Sequence, residues 1–289
     1  MKAFAALFTE LDQTTKTNAK VGALAEYFRW ANDDDKLWTI ALLSGRRPKR
    51  TVTTTQLRTW AAEYAGIPPW LFEEAYPIVG DLAETIALVL PPASNASDRR
   101  LTDWVEMIRG LAKEDEEVRR SHILAAWNCL GSTERFVFNK LFTGGFRMGV
   151  SQKLMTRALS RATDIEEPEL AHRLMGNWSP DTVSFESLIL TRDPDADLSK
   201  PYPFYLAHPL EADPETLGPP DDWLAEHKWD GIRGQLIVRS GRHFLWSRGE
   251  ELMTDRFPEF SVSPDFLPDG TVLDGEVLAW AGDSPLPFQ

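Results

Sequence analysis

Residues 193–222 read DPDADLSKPYPFYLAHPLEADPETLGPPDD, and this stretch decides the architecture. Prolines at 194, 201, 203, 209, 214, 219 and 220 exclude a long helix, because each removes a backbone donor and crowds the preceding turn. The stretch reads as an ordered linker at which the hydrophobic period changes. Ahead of it, apolar residues recur at helical spacing: Phe4, Leu7, Phe8 and Leu11, then Val21, Leu24 and Phe28, then Leu57, Trp60, Ala61 and Tyr64. Trp104, Val105, Ile108 and Leu111 continue the pattern, as do Leu154, Met155, Ala158, Leu159 and Ala162. Gly66-Ile-Pro-Pro69 stops one helix, Ser151 caps another, and Ser179-Pro180 reads as a cap followed by proline at the first helical position. Behind the linker the period is two. Leu236 and Val238, then Phe244 and Trp246, flank a Ser240-Gly241 turn, which is a hairpin signal. A further strand is expected over Thr271–Trp280 (TVLDGEVLAW), after a turn at Pro268-Asp-Gly270. Helices followed by hairpin-rich β-structure imply two domains with a boundary near 195–205.

The length supports that division, since 289 residues at roughly 150 per domain give about two. No run approaches the ~18 consecutive apolar residues of a membrane span, and the helical period of the first turns is not that of a signal peptide. The single cysteine, Cys129, excludes an internal disulfide and a multi-cysteine zinc site. A cytosolic chain without a structural metal is expected. The net charge of −13 is unevenly spread. Residues 1–200 carry 25 Lys and Arg against 28 Asp and Glu, whereas residues 201–289 carry 6 against 16. Two windows hold no acid at all: 36–62, with Lys36, Arg46, Arg47, Lys49, Arg50 and Arg58, and 135–163, with Arg135, Lys140, Arg147, Lys153, Arg157 and Arg161. Polyanion binding follows local potential more than total charge, so a nucleic-acid partner is compatible with the acidic whole.

Three short motifs in the β-rich part carry the chemistry. AEHKWDGIR (Ala225–Arg233) places Lys228 beside an Asp-Gly turn, with Glu226 two residues before it and Arg233 five after. WSRGEEL (Trp246–Leu252) places Arg248 in a glycine-containing turn 20 residues after the lysine. LDGEVL (Leu273–Leu278) puts Asp274 and Glu276 on a strand, Glu276 lying 48 residues after the lysine. A lysine becomes a nucleophile where its neutral amine is favoured by desolvation or nearby cations. Arginines also grip phosphate oxygens, and a carboxylate can hold a divalent cation or a ribose hydroxyl. Phosphorus chemistry depends mostly on positioning and charge stabilisation, for which this set is suited. Taken singly each element is a common turn or strand; their order and spacing are what is informative.

With these residues in view, the chain resembles the ATP-dependent DNA ligases within the covalent nucleotidyltransferases. KWDGIR matches the family's nucleotidyl-lysine motif, SRGEEL its second motif and DGEVL its third. Phe72–Leu90 (FEEAYPIVGDLAETIALVL) and Asn139–Leu159 (NKLFTGGFRMGVSQKLMTRAL) are similar to the helical DNA-binding domain that precedes catalysis in larger members. The resemblance thus covers nearly the whole chain. It implies a multi-domain fold: an all-α DNA-binding domain over 1–195, a Pro-rich linker over 196–222, and the N-terminal portion of an α+β adenylation domain over 223–289.

The implied reaction has three steps: AMP is taken from ATP, passed to the 5′-phosphate of a nick, and displaced by the 3′-hydroxyl. By position, Lys228 is the adenylated catalytic residue. Glu226 lines the adenine site, Arg233, Arg248 and Glu276 contact ribose or phosphate, and Glu276 also serves magnesium. Asp230 and Gly231 shape the turn that presents the lysine. In the helical domain Thr143, Gly144, Gly145, Arg147 and Gly149 would meet duplex phosphates. The implied ligands are ATP and Mg²⁺, and the implied partner is nicked double-stranded DNA. The protein is expected to be a monomer acting in repair, replication or recombination, cytoplasmic and, in a prokaryote, associated with the nucleoid. The family's later motifs and its OB-fold do not follow the 13 residues after Glu276. The chain is therefore expected to be the front half of a ligase, inactive until a missing C-terminal half completes it. The alternatives are a non-catalytic DNA-binding fragment and an RNA ligase or capping-type nucleotidyltransferase.

Overall fold

The computed structural model describes residues 1–146, 148–174, 178–191, 198–204, 209–224, 226–249 and 251–286, except for the side chains of Pro168 and His172. The chain divides into two compact units, Met1–Leu170 with Ser179–Thr191, and Ala171–Trp178 with Arg192–Gln289.

The first unit is helical: α1 (Lys2–Asp12), α2 (Thr17–Trp30), α3 (Asp33–Leu43), α4 (Thr54–Ala65), α5 (Pro69–Val79), α6 (Leu82–Val89), α7 (Leu101–Gly110), α8 (Glu116–Cys129), α9 (Ser132–Thr143) and α10 (Gln152–Thr163). Local chemistry sets these boundaries. Thr53 and Gln56 form a reciprocal capping box at the start of α4, and Gly66 ends that helix in the left-handed conformation at φ 68°. The Ser151 hydroxyl accepts from the Leu154 amide at 3.2 Å, capping α10 as its sequence predicts. The apolar stripes turn inward, with α10 packed on α2, α6 on α9, and α1 on both α2 and α9. Trp104 and Phe142 meet Phe138 edge-on, each with ring centres 5.4 Å apart. Trp127, fully buried, donates its indole N–H to Asn139 Oδ1 at 2.9 Å, so the one polar atom of that ring is satisfied.

One cap is misread by the sequence. Ser179-Pro180 opens a turn and not a helix. The Ser179 amide donates to the Thr182 hydroxyl at 3.2 Å, while its carbonyl accepts from the Thr182 and Val183 amides. Two hydroxyl residues three apart thus close the turn on themselves, competing with helix propagation. The chain coils again only after Ser184, whose hydroxyl accepts from the Ser187 amide at 3.0 Å ahead of a π-helical turn over Glu186–Leu190.

In the second unit, β1 (Ile232–Arg239) lies between β2 (Arg242–Ser247) and β3 (Val272–Val277), antiparallel to both. Ser240 and Gly241 adopt φ of 51° and 68°, the two left-handed positions of the hairpin turn that suits the twist of paired strands. The single strand expected over Thr271–Trp280 is interrupted. After Val277 the chain leaves the register, and Trp280–Ala281 instead pairs with Ser284–Pro285 across Gly282. Gly282 at φ 60° makes this second reversal possible.

Each face of the sheet carries an apolar cluster. Leu236, Leu245 and Met253 gather Ile232, Phe257, Phe260, Leu267 and Val277 on one face. On the other, Ile237, Phe244 and Trp246 gather Leu198, Phe204 and Val272. Of the proline-rich stretch, residues 193–197 and 205–208 lie outside the described residues. Its segment 198–204 is tied down through its backbone. Gln235 donates to the Tyr202 carbonyl and accepts from the Tyr202 amide, Arg239 donates to the Leu198 and Lys200 carbonyls, and the Trp246 indole donates to that of Ser199.

Candidate functional site

The three motifs meet at one end of the sheet. Register sets Arg233 of β1 directly opposite Glu276 of β3. Facing pairs in an antiparallel ladder share a face, so these side chains lie together. Just beyond β2, the Arg248 amide donates to the Arg233 carbonyl at 3.1 Å, which draws the second motif against the first. The Gly231 amide donates to Glu276 Oε1 at 3.2 Å, so the Asp-Gly turn of the first motif is held by the carboxylate of the third. Arg233 Nε stands 2.8 Å from Asp274 Oδ1, an ion pair without hydrogen-bond alignment. Gly231 is needed sterically. A β-carbon there would lie 2.5 Å from the Val277 carbonyl and 2.6 Å from Leu278 Cδ2.

Lys228 and Glu226 precede β1 in exposed chain without regular secondary structure, and among the described residues no hydrogen bond or ion pair joins them to the cluster. Arg248 is likewise exposed. The structure therefore brings together Gly231, Arg233, the Arg248 backbone and Glu276, and leaves the lysine side chain exposed a few residues ahead of them. Ala225 and Glu250, which belong to the first two motifs, lie outside the described residues. Beside the Asp-Gly turn is a cavity of about 560 Å³, lined by Asp230, Gly231, Phe257, Phe260, Val277 and Trp280 among others. Trp229 packs edge-on against Trp280 with ring centres 6.0 Å apart, and tilted against His227 at 5.3 Å. The sequence reading left out Asp274 as the partner of Arg233. Period two was the available signal, since Asp274 and Glu276 alternate onto one face.

In the helical unit, Thr143 ends α9 with its hydroxyl on the Asn139 carbonyl at 3.1 Å, and Gly144, Gly145 and Gly149 belong to the loop before α10. Arg147 lies outside the described residues. Phe146 anchors the loop, stacked edge-on against Phe4 at 5.7 Å and Phe8 at 5.9 Å. The other side of the groove comes from the loop after α3. Gly45 and Arg47 line it together with Gly145, Met148, Gly149 and Ser151, around a volume of about 680 Å³. Arg50 donates to the Phe142 carbonyl at 3.1 Å and ties the loop after α3 to the last turn of α9. The two acid-free windows, remote in sequence, thus converge on one groove.

A helical unit followed by a sheet that gathers Arg233, the Arg248 backbone and a carboxylate, with an exposed lysine a few residues ahead of it, is the layout expected of a covalent nucleotidyltransferase with a helical companion domain. Comparison with known proteins agrees. The family described as DNA ligase N terminus matches residues 1–160, and that described as ATP dependent DNA ligase domain matches residues 205–289. The chain belongs to the DNA ligase family. A probable DNA ligase of Koribacter versatilis is 25% identical over 287 residues, covering 95% of this chain and 49% of the relative. One from Streptomyces avermitilis is 28% identical over 289 residues, covering 97% and 51%. DNA ligase 1 of Saccharomyces cerevisiae is 36% identical over 94 residues, 29% of this chain and 12% of the yeast protein. The chain spans about half the length of the first two relatives. Among the described residues no helix is long and apolar enough to cross a membrane.

Proposed function

We propose that this chain works in an ATP-dependent DNA ligase that seals nicks in duplex DNA, with Lys228 carrying the AMP. The observation that supports it most is the cross-strand meeting of Arg233 with Glu276, with Arg248 joined to Arg233 through the backbone. In this reading the free amine of Lys228 attacks the α-phosphorus of ATP. A phosphorus–nitrogen bond forms, the bond to the bridging oxygen breaks, and pyrophosphate leaves. AMP then moves to a 5′-phosphate oxygen at the nick, and the 3′-hydroxyl displaces it to form the phosphodiester. Arg233 and Arg248 neutralise phosphate charge as it redistributes, Glu226 reads the adenine, and Glu276 takes a ribose hydroxyl. Thr143, Gly144, Gly145, Arg147 and Gly149 hold the duplex backbone.

Among the described residues no three His, Cys, Asp or Glu side chains converge as a metal cage. Mg²⁺ commonly uses one or two carboxylates and completes its shell with substrate phosphates and water, so a single Glu276 fits it. The ion, when bound, would neutralise phosphate charge. The division proposed is a DNA-binding domain over 1–195, a linker over 196–222 and the opening of an adenylation domain over 223–289. A monomer serving repair, replication or recombination at the nucleoid is the matching cellular role.

Incubation of the full-length protein with labelled ATP and magnesium, then denaturing electrophoresis and peptide mapping, tests the assignment. Label is expected on the peptide containing Lys228 and should vanish in Lys228→Ala, while sealing of pre-adenylated nicks partly survives. Lys228→Arg should also fail, because a guanidinium stays protonated. Labelling of either variant at the wild-type level removes Lys228 from the role.

A further inference from the structure

The glycine-rich loop before α10 is held by a lysine from α2, far from it in the chain. Lys20 of α2 is only 9% exposed. A lysine is almost never buried so deeply unless its ammonium is paired. Among the described residues, its hydrogen-bond partner is the Met148 carbonyl, 128 residues away in the chain. Met148 is itself buried, and its amide donates to the Phe146 carbonyl at 3.0 Å. The loop is therefore fixed at two neighbouring points, by the Phe146 ring on Phe4 and Phe8 and by the Lys20 ammonium on Met148. The second point also carries a full positive charge behind the groove lined by Arg47, Gly145 and Gly149. Gly149 is fitted to it. Its φ is 63°, and a β-carbon there would lie 3.1 Å from the Lys20 Nζ.

We propose that Lys20 is a positioning residue for nucleic-acid binding: it sets Gly144–Phe146 and Met148–Gly149 in the shape that meets duplex phosphates and adds positive potential beneath them. This rests on the reading of that loop as a DNA contact. An apolar side chain of similar length could fill the space, but it would leave the Met148 carbonyl without its partner and remove the charge.

The experiment uses the whole chain with Lys20→Met and Lys20→Arg. Hydrogen exchange in the DNA-free protein is read on peptides spanning 142–150, and affinity for nicked duplex is measured across a salt series. Log affinity falls by about 0.9 per contacted phosphate for each decade of salt, so each lost contact costs roughly eightfold at 0.1 M. Lys20→Met should speed exchange in 142–150, weaken binding by roughly eight- to sixtyfold on all sequences alike, and flatten the salt slope by about one to two. Lys20→Arg, which keeps charge and donor, should recover part of both. A purely structural role would lower the melting temperature and leave the slope of the folded protein unchanged. Wild-type exchange in 142–150, or wild-type affinity and slope, for a folded Lys20→Met overturns the proposal. Should Lys20→Met not fold, Lys20→Gln, which keeps a donor and loses the charge, carries the test: a flattened slope supports the proposal, and a wild-type affinity and slope overturn it. A wild-type chain that does not bind duplex would overturn the DNA reading of the loop itself, whatever the exchange result.

Discussion

The helical unit and the sheet unit are held together by different ranges of information. In the first, each helix carries its own stripe and its own stop signal within a dozen or so residues. Thr53 answers Gln56, Asp81 answers Glu84, Asp115 answers Val118, and Ser151 answers Leu154, all three positions apart. In the second, the decisive contacts are remote. The Gly231 amide reaches Glu276 across 45 residues, and the Gln235 amide clasps Tyr202 across 33. Their burial differs in the same sense. β1 is buried through its middle, whereas β3 has no fully buried residue and pairs only with β1 among the described residues. The helical unit therefore resists change mainly through packed volume, and the sheet unit mainly through a few close approaches between separated segments.

The largest test of that contrast is Trp127→Ala. Trp127 is fully buried and satisfies Asn139, which is itself buried and donates weakly to the Ala83 carbonyl at 3.4 Å. Truncation opens a cavity and strips a buried amide of a partner, for an expected loss of about 3–5 kcal/mol. Urea unfolding of the full chain measures it, with hydrogen exchange on peptides from 80–145 to locate the effect. A loss below about 1 kcal/mol would mean that the helical core is not stabilised by packed volume in this way.

A smaller effect is expected from Gly231→Ala in the sheet unit. The added carbon meets the Val277 carbonyl and Leu278, one of them backbone that cannot rotate away. Overpacking of this kind costs about 1–3 kcal/mol. Gly275→Ala is the control, since nothing lies within 4 Å of its β-carbon, and no loss is expected. Exchange in the β1 and β3 peptides should rise for the first variant and stay unchanged for the second. Equal behaviour of the two would break the claim that close approach, and not strand propensity, governs this region.

The same contrast explains what could be read from the chain alone. Phe4, Leu7, Phe8 and Leu11 all turn inward as their spacing predicts, and Ser240-Gly241 makes the predicted hairpin, because these depend on neighbours in sequence. The failure at Ser179 is of the opposite kind: cap and proline were both present, but a second hydroxyl at Thr182 closed a competing turn. The break after Val277 was illegible because Val277, Leu278, Ala279 and Trp280 keep the apolar character of the strand before them, and the departure depends on β1 beginning at Ile232 on the other side. For the candidate site, the residue types and their order were legible, whereas the pairing of Arg233 with both Asp274 and Glu276 is a matter of register. Lys20 was illegible for the same reason, since its partner lies on a loop far along the chain.

The smallest effects separate the two regions at a single backbone conformation. Among the described residues, two non-glycine positions have positive φ: Asp164 at 58°, the C-cap of α10, and Ser240 at 51°, in the hairpin turn. The left-handed conformation costs an ordinary residue about 1–2 kcal/mol, and asparagine tolerates it better than most through local hydrogen bonding. Ser240→Asn should therefore stabilise the hairpin by a few tenths of a kcal/mol, leaving its pairs unchanged. Asp164 carries a second penalty, because its negative charge stands at the negative end of the helix dipole. Asp164→Asn keeps the conformation and removes the charge, so its gain should be about 0.3–1 kcal/mol, shrinking as salt is added. Hydrogen exchange in the α10 peptide at low and high salt distinguishes the two terms. A gain at Asp164 that is insensitive to salt would assign the effect to backbone conformation alone and place the two sites on the same footing. A loss of stability at Ser240 on changing to asparagine would show that the serine hydroxyl makes a contribution to the turn larger than the strain it bears.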